Sequence, residues 1–366
     1  MKKRNKMIVN RYTVLIALML CVCTGCGKQE ELQQEQIEIQ DAGEIGIGQE
    51  GHLASTQITE EEWIAHLASQ NISPITVKIN EYDTLNVATY VTKIADTYYI
   101  ADCYHNQIIY HTNLHAPLQE WSVLTDNVHY AHTISGDGRM FIIDDTENNR
   151  VVTFAKTAQG YYETGVLENI GMKPHFTYYD EERDWFMVWS SITGEMYYLN
   201  YDETGIGLKV DHISKIDELF GVYVRSFSVI GDSIYFVSGH NNQKIIKVNA
   251  DALAEGKVEV EESYAVTAEI AGMVQLVKIE DYYYISISTD AEENQDYATW
   301  IRTKDLSTLA AGEYEDVYDK LGVAKGTPYY ITEIEGRYYM AHHRTAENLL
   351  VFDVVDNEIC NVEIIY

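Results

Sequence analysis

A unit that recurs six times between residues 95 and 343 constrains the fold of this chain more than any other feature. Each copy is a tight turn followed by a run of large apolar residues: "ADTYYIAD", "GDGRMFIIDD", "ERDWFMVWS", "GDSIYFVSG", "EDYYYISIS" and "EGRYYMAHH". One aromatic anchor marks each run, and successive anchors are 42 to 56 residues apart: Tyr99, Phe141, Phe186, Tyr235, Tyr283 and Tyr339. A repeat of this length predicts a series of similar supersecondary units.

Three further strand-like runs accompany each anchor. One precedes it, as in "ATYVTKI", another follows it, as in "NRVVTF", and a third comes before the next unit, as in "EWSVL". In the fifth unit an acidic insertion, residues 290–296, delays the run after the anchor. Four antiparallel strands per repeat indicate a propeller blade, and a closed ring leaves no sheet edge exposed. We therefore predict an all-β fold, a six-bladed β-propeller of four-stranded antiparallel blades over residues 82–366. A seven-bladed ring that uses residues 75–88 is the alternative.

One segment carries a family resemblance. In "IIDDTENNRVVTF", Asn148, Asn149 and Arg150 precede the third strand of the second unit, and the segment resembles NHL-type six-bladed propellers. The first unit has a weaker copy, "HNQIIY", and the motif is degenerate in units three and five. The resemblance concerns the architecture of the whole domain. It implies a six-bladed ring. It also implies, as an alternative function, hydrolase or lyase chemistry with a metal at the mouth of the ring, as in some NHL-like propellers.

The N-terminus predicts export. Residues 1–11 carry Lys and Arg without an acidic residue, and the apolar run from Tyr12 to Val22 is too short to span a bilayer. The following "VCTGCG" resembles the lipobox of bacterial lipoproteins, although Cys23 stands where that family usually has Leu. The resemblance implies that residues 1–25 are a signal peptide, that Cys26 carries the lipid (palmitate), and that the protein is anchored on the extracytoplasmic face of the cell membrane.

The next two segments lead into the ring. Residues 26–57 are rich in Gln, Glu and Gly with almost no aromatic side chains, so we expect the lipidated cysteine to be followed by a disordered acidic tether. Residues 58–81 begin with the Thr59 to Glu62 spacing of a capping box, which predicts one short helix. The net charge of −31 at pH 7 repels phosphate backbones and anionic headgroups, so nucleic acid is not an expected partner. Membrane attachment is expected through the lipid.

Candidate binding residues lie where the inner strands are predicted to begin. The end of each second strand opens on the same face of the ring as the start of the inner strand, and we call this the mouth face. Polar side chains that can reach a ligand there are Tyr90, His132, His175, Arg225, Gln275, Tyr330 and His342. His342 and His343 should point to opposite faces of one strand, so they are not expected to form a catalytic pair.

These observations favour a non-catalytic propeller that binds a small molecule, glycan or protein partner at its mouth face. The first alternative is an extracytoplasmic hydrolase or lyase in which His132, His175 and His342 hold a metal; no other cofactor is expected. The second is a structural module of an envelope complex. No nucleophile motif is present, and Cys103 is placed in a strand with no assigned base. A disulfide between Cys103 and Cys360 and two separate thiols both remain open.

Overall fold

The computed structural model describes residues 58–239 and 242–366. Within them a short helix precedes six antiparallel sheets, and each sheet is built from one contiguous stretch of chain. The predicted anchor residue lies in the second strand of every sheet. The predicted signal peptide, Cys26 and the predicted tether fall outside the described residues. Among those that are described, no helix has the length and apolar character needed to cross a membrane.

The helix, α1 (Glu60–Ser69), begins at the predicted capping box. The Thr59 side chain accepts a hydrogen bond from the backbone N–H of Glu62, whose carboxylate accepts one from the backbone N–H of Thr59 at 2.9 Å. Trp63 and Leu67 are buried on one face and pack against the outer apolar layers of the second and third sheets. A second helix, α2 (Ala250–Ala254), is a single short segment.

The sheets follow the chain in order, and each has an inner, second, third and outer strand. Sheet one has a further edge strand, β1. The strand bounds are β1 (Lys78–Ile79), β2 (Ala88–Ile94), β3 (Thr97–Asp102), β4 (Gln107–His111) and β5 (Ser122–Thr125) in sheet one; β6 (Ile134–Gly136), β7 (Met140–Asp145), β8 (Arg150–Thr157) and β9 (Gly160–Leu167) in sheet two; and β10 (Pro174–Asp180), β11 (Trp185–Ser190), β12 (Glu195–Tyr201) and β13 (Leu208–Lys215) in sheet three.

The second half of the chain repeats the pattern. Its strand bounds are β14 (Val224–Ile230), β15 (Ser233–Ser238), β16 (Lys244–Asn249) and β17 (Val260–Ala265) in sheet four; β18 (Gly272–Ile279), β19 (Tyr282–Thr289), β20 (Thr299–Thr303) and β21 (Glu315–Asp316) in sheet five; and β22 (Thr327–Ile334), β23 (Arg337–His343), β24 (Leu349–Val355) and β25 (Glu358–Ile364) in sheet six. The short 3₁₀ turns are Cys103–His105, Leu118–Glu120, Thr146–Asn148, Asp217–Leu219, Ala268–Ile270, Gln295–Tyr297, Leu306–Ala311 and Tyr318–Leu321.

The inner strands of neighbouring sheets pack side by side around the whole ring, and β22 of the sixth sheet contacts β2 of the first. The chain is therefore a six-bladed β-propeller, as the repeat predicts. Residues 78–79 do not begin a seventh blade. They pair with β5 and extend blade one as a fifth strand.

Aromatic side chains fill the centre of the ring. Tyr90 of blade one, Phe176 of blade three and Tyr330 of blade six meet edge to face, with centroid separations of 6.2 Å, 6.1 Å and 5.0 Å. All three are buried in the largest apolar cluster. Because blades one, three and six can meet only on the axis, these rings form a plug across the channel.

The seam between the last and first blades is held by side chains rather than by an exchanged strand. The hydroxyl of Tyr366 donates to the carbonyl oxygen of Ala116 at 2.6 Å and accepts from Trp121 Nε1 at 3.1 Å. An ion pair joins Lys93 of blade one to Glu335 of blade six at 2.6 Å. Cys103 and Cys360 are both thiols, so no disulfide between them locks the ring.

Candidate functional site

A cluster of aromatic, imidazole and guanidinium groups lies at the mouth face. Blades one, two, four and six, and the loop before blade four, contribute side chains to it. We call this set the mouth cluster and define it as Tyr104, His132, Tyr223, Arg225, Tyr329 and His343. All come from connections or strand ends on that face, where the sequence predicts binding residues.

The rings of His132 and His343 both lie next to the ring of Tyr329. The His132 ring is 5.9 Å from the Tyr329 ring, and the His343 ring is 6.1 Å from it, both nearly parallel to it. Tyr104 closes the other side of His343, with its hydroxyl 3.2 Å from His343 Nε2. Burial, reinforced by the charge of Arg225, lowers the pKa of His343 to about 4. This imidazole is therefore neutral at physiological pH.

Arg225 supplies the positive charge of the cluster. Its guanidinium lies 4.8 Å from the ring centroid of Tyr223, a cation–π contact, and it is only partly buried. The Tyr223 hydroxyl in turn contacts His175 Nε2 at 2.9 Å. Burial first, and then the neighbouring His132 and Arg225, hold the pKa of His175 well below its usual value. The guanidinium therefore lies beside two imidazoles, His175 and His343, whose pKa values are lowered.

His175 lies beneath the cluster and is fully buried. Its Nδ1 is 3.0 Å from the Tyr330 hydroxyl, and its ring stacks on His132 at a centroid separation of 3.8 Å. The Tyr330 hydroxyl also donates to the backbone carbonyl of Arg225 at 2.8 Å. His175 and Tyr330 therefore support the mouth cluster from below.

Five of the seven predicted binding residues lie outside the mouth cluster: His175, described above, Tyr90, Tyr330 and Gln275, and His342, described below. Tyr90 and Tyr330 belong to the aromatic plug. Gln275 uses its whole amide group to join blades five and six: its Oε1 accepts from the backbone N–H of Ile331 at 2.6 Å, and its Nε2 donates to the carbonyl of the same residue at 3.2 Å. Its amide therefore serves ring assembly in this structure.

His342 lies on the opposite side of its strand from the cluster. Its Nε2 is 2.7 Å from the Tyr318 hydroxyl in the 3₁₀ turn before blade six, and burial lowers its pKa to about 4. His343 takes the place at the mouth that the sequence assigned to His342. The two side chains do point in opposite directions, as strand geometry predicts.

The predicted convergence of His132, His175 and His342 on one metal does not occur. His132 and His175 stack on each other, whereas His342 is turned toward Tyr318. Across residues 58–239 and 242–366, no group of three or more His, Cys, Asp or Glu side chains has the arrangement of a metal site. His132, His175 and His342 are therefore not brought together as one ligand set in this structure.

Two of the surface clefts formed by the described residues lie away from the mouth cluster. One, with a volume of about 270 Å³, runs along the C-terminal half of α1 and is lined by residues such as Ile64 and Tyr162. The other, of about 430 Å³, is lined by Tyr178, Asp180 and Val229, at the end of the inner strands opposite the mouth face. Neither contains an imidazole or a guanidinium, so neither has the chemistry of the mouth cluster.

Comparison with known proteins supports the fold. No protein-family model and no curated protein matches the sequence. Solved structures do match: a candidate 6-phosphogluconolactonase from Bacteroides uniformis ATCC 8492 (11% identity, TM-score 0.52, 72% of this chain and 80% of that one), another from Bacteroides fragilis NCTC 9343 (12%, 0.52, 77% and 84%), and a streptogramin B lyase (11%, 0.51, 78% and 85%). At these identities the similarity extends to the propeller fold and not to activity.

Proposed function

We propose that this chain is an extracytoplasmic, lipid-anchored β-propeller that binds a small sugar acid at the mouth cluster. The observation that carries the proposal is the position of the partly exposed Arg225 guanidinium among the rings of Tyr223, Tyr329 and His343. A guanidinium binds a carboxylate through two parallel hydrogen bonds, and aromatic rings contact the apolar faces of a sugar. The NHL-like turn at Asn148 to Arg150 supports a relationship to binding and catalytic propellers of that family.

The central plug limits the size of this ligand. Tyr90, Phe176 and Tyr330 close the channel beneath the cluster, so a ligand rests on the mouth rather than passing through the ring. The overall net charge of −31 repels polyanions over long distances. A single carboxylate on a small sugar suits one guanidinium better than a highly charged polymer does.

Binding of D-glucuronate and of D-glucose, followed by isothermal titration calorimetry, tests the proposal. We expect glucuronate to bind more tightly than glucose, and Arg225→Gln to weaken glucuronate binding by about 10- to 100-fold, because a hydrogen bond to a charged group contributes about 1.5–3 kcal/mol. Arg183→Gln is the matched control, since Arg183 pairs with Asp180 and Asp251 away from the mouth face. Equal affinity for the two sugars, or unchanged binding by the Arg225 variant, would contradict the proposal.

The anchor has a separate test. Because Cys26 follows small residues at the end of the apolar signal, we expect the wild-type chain to incorporate labelled palmitate in a bacterial host and Cys26→Ala to incorporate none. Cys103→Ser, which changes a cysteine inside the propeller, should be labelled like the wild type. Equal labelling of the Cys26 variant would show that this cysteine is not the acceptor.

A further inference from the structure

The thiol of Cys103 faces an imidazole of the neighbouring blade. Cys103 is the first residue of the 3₁₀ turn after β3, and His132 lies just before β6. The distance from Cys103 Sγ to His132 Nε2 is 4.0 Å, within hydrogen-bonding range for sulfur. The sequence placed Cys103 in a strand without a base. In the structure it lies in a turn, and the base comes from the next blade.

The hydrogen bonds of Thr146 determine which nitrogen of His132 carries the proton. Thr146 Oγ1 lies 2.9 Å from Asp144 Oδ2 and 2.8 Å from the carbonyl oxygen of Pro174, and both of these atoms can only accept. Its single proton is therefore directed to one of them, so it accepts from His132 Nδ1, which is 3.0 Å away. Nδ1 carries the proton, and the lone pair of Nε2 points toward Cys103.

The imidazole is also held in position. Asp144 is fully buried and accepts from the backbone N–H of His132 at 2.9 Å and from that of Thr133 at 2.6 Å. His175 stacks on one side of the His132 ring. Nucleophile, base and a third group that orients the base are the parts of a covalent catalytic site.

We infer that Cys103 and His132 are a nucleophile and general base that transfer the acyl group of a small activated ester or thioester. His132 Nε2 takes the thiol proton while the sulfur forms a bond to the acyl carbon. The bond from that carbon to the leaving group breaks, and the leaving group departs with the proton from His132. Water then attacks the thioester and gives a proton to His132. The carbon–sulfur bond breaks, the acid leaves, and His132 returns the proton to the sulfur, which regenerates the thiol. The thiol is buried and the His132 side chain is only 12% exposed, so the acyl group has to be small.

This activity differs from sugar-acid binding in its reacting atoms, which are Cys103 Sγ and His132 Nε2. Arg225 takes no part in it, although His132 belongs to both sites. The probe is p-nitrophenyl acetate with the full-length chain. Release of p-nitrophenol gives the rate, and peptide mass spectrometry locates the acetyl group. We expect Cys103 to be acetylated faster in the native protein than in urea, Cys103→Ser to abolish this acetylation, and His132→Gln to slow it about 100-fold.

Cys360→Ser is the matched control, since Cys360 is the other thiol of the propeller and has no imidazole partner among the contacts described; this variant should release p-nitrophenol like the wild type. If His132→Gln does not fold, as judged by circular dichroism, the comparison of native and unfolded wild type still decides the question. An inert buried thiol reacts only after unfolding. Slower acetylation of Cys103 in the native state, or an unchanged rate in a folded His132→Gln variant, would overturn the inference.

Discussion

Asp144→Ala is expected to lower the free energy of unfolding by about 3–5 kcal/mol, because it removes a buried carboxylate on which several donors depend. Asp144 is fully buried. Its two oxygens accept from the backbone N–H groups of His132 and Thr133 at 2.9 Å and 2.6 Å and from the Thr133 hydroxyl at 2.6 Å, and the Thr146 hydroxyl lies 2.9 Å away. Alanine would leave these donors buried without their acceptor.

Urea denaturation of the two proteins at neutral pH measures this effect. Asp144→Asn keeps the side-chain size and one acceptor oxygen, so its loss should be smaller than that of alanine. Asp126→Ala is the surface control: Asp126 pairs with Lys78, but both side chains are more than half exposed, and such pairs contribute at most about 1 kcal/mol. A loss for Asp144→Ala no larger than that of Asp126→Ala would show that the donors find other acceptors.

Acidification should destabilise the propeller between about pH 6.5 and about pH 4. The ordinary histidine pKa is 6.5, and burial lowers the pKa of His342 and of His343 to about 4 and that of His175 well below 6.5. Above pH 6.5 these rings are neutral in both the folded and the unfolded state, so they do not lower the free energy of unfolding there. Below pH 6.5 these histidines bind protons in the unfolded chain but not in the folded protein. The free energy of unfolding therefore falls by about 3 kcal/mol for each of His342 and His343 until the pH reaches their pKa in the folded state.

A variant separates this effect from the titration of the many carboxylates. His342→Gln keeps a polar group near Tyr318 but cannot be protonated, so its free energy of unfolding should lose about 3 kcal/mol less than that of the wild type over the same pH range. His115→Gln, which makes the same substitution at an exposed position, is the control for the change of residue. Parallel pH curves for His342→Gln and the wild type would contradict the assignment of a neutral, buried imidazole.

The ring could be predicted because the same local strand pattern recurs in every blade. An aromatic anchor such as Phe141 or Tyr235 comes soon after a tight turn, and the strand pattern around it is set by neighbours in the sequence. Residues 78–79 could not be placed in this way, since a two-residue edge strand has no pattern of its own. Its position depends on pairing with Val123 and Ser122, more than 40 residues later.

The site was predictable in outline only, and β-bulges are the reason. In blade six Pro328 pairs with His342 and Ile331 with Met340, so the inner strand holds one residue more than its partner between these pairs. Similar shifts occur in the inner strands of blades one, three, four and five. A bulge reverses which face each side chain takes, and the sequence does not mark its position. The faces taken by Tyr329 and Tyr330 in the inner strand of blade six therefore could not be assigned from the sequence.

The repeat could have predicted that Cys103 lies next to His132. Cys103 and Thr146 are each the first residue of the 3₁₀ turn after a second strand. Each turn ends at an asparagine in the left-handed conformation, Asn106 in blade one and Asn149 in blade two. Thr146 contacts the lead-in of blade three through the carbonyl of Pro174. Blade symmetry would therefore have placed Cys103 against the lead-in of blade two, where His132 lies.

The seam held by Tyr366 joins the two ends of the propeller, and this affects the order in which the ring assembles. Every blade comes from contiguous chain, so its four strands can pair through local contacts, whereas Tyr366 reaches a partner 250 positions away at Ala116 and Glu335 reaches one 242 positions away at Lys93. Contacts between such distant positions form slowly because the intervening chain must first be ordered. We therefore expect the blades to form before the ring closes, and until it closes the inner flanks of blades one and six are open to other chains.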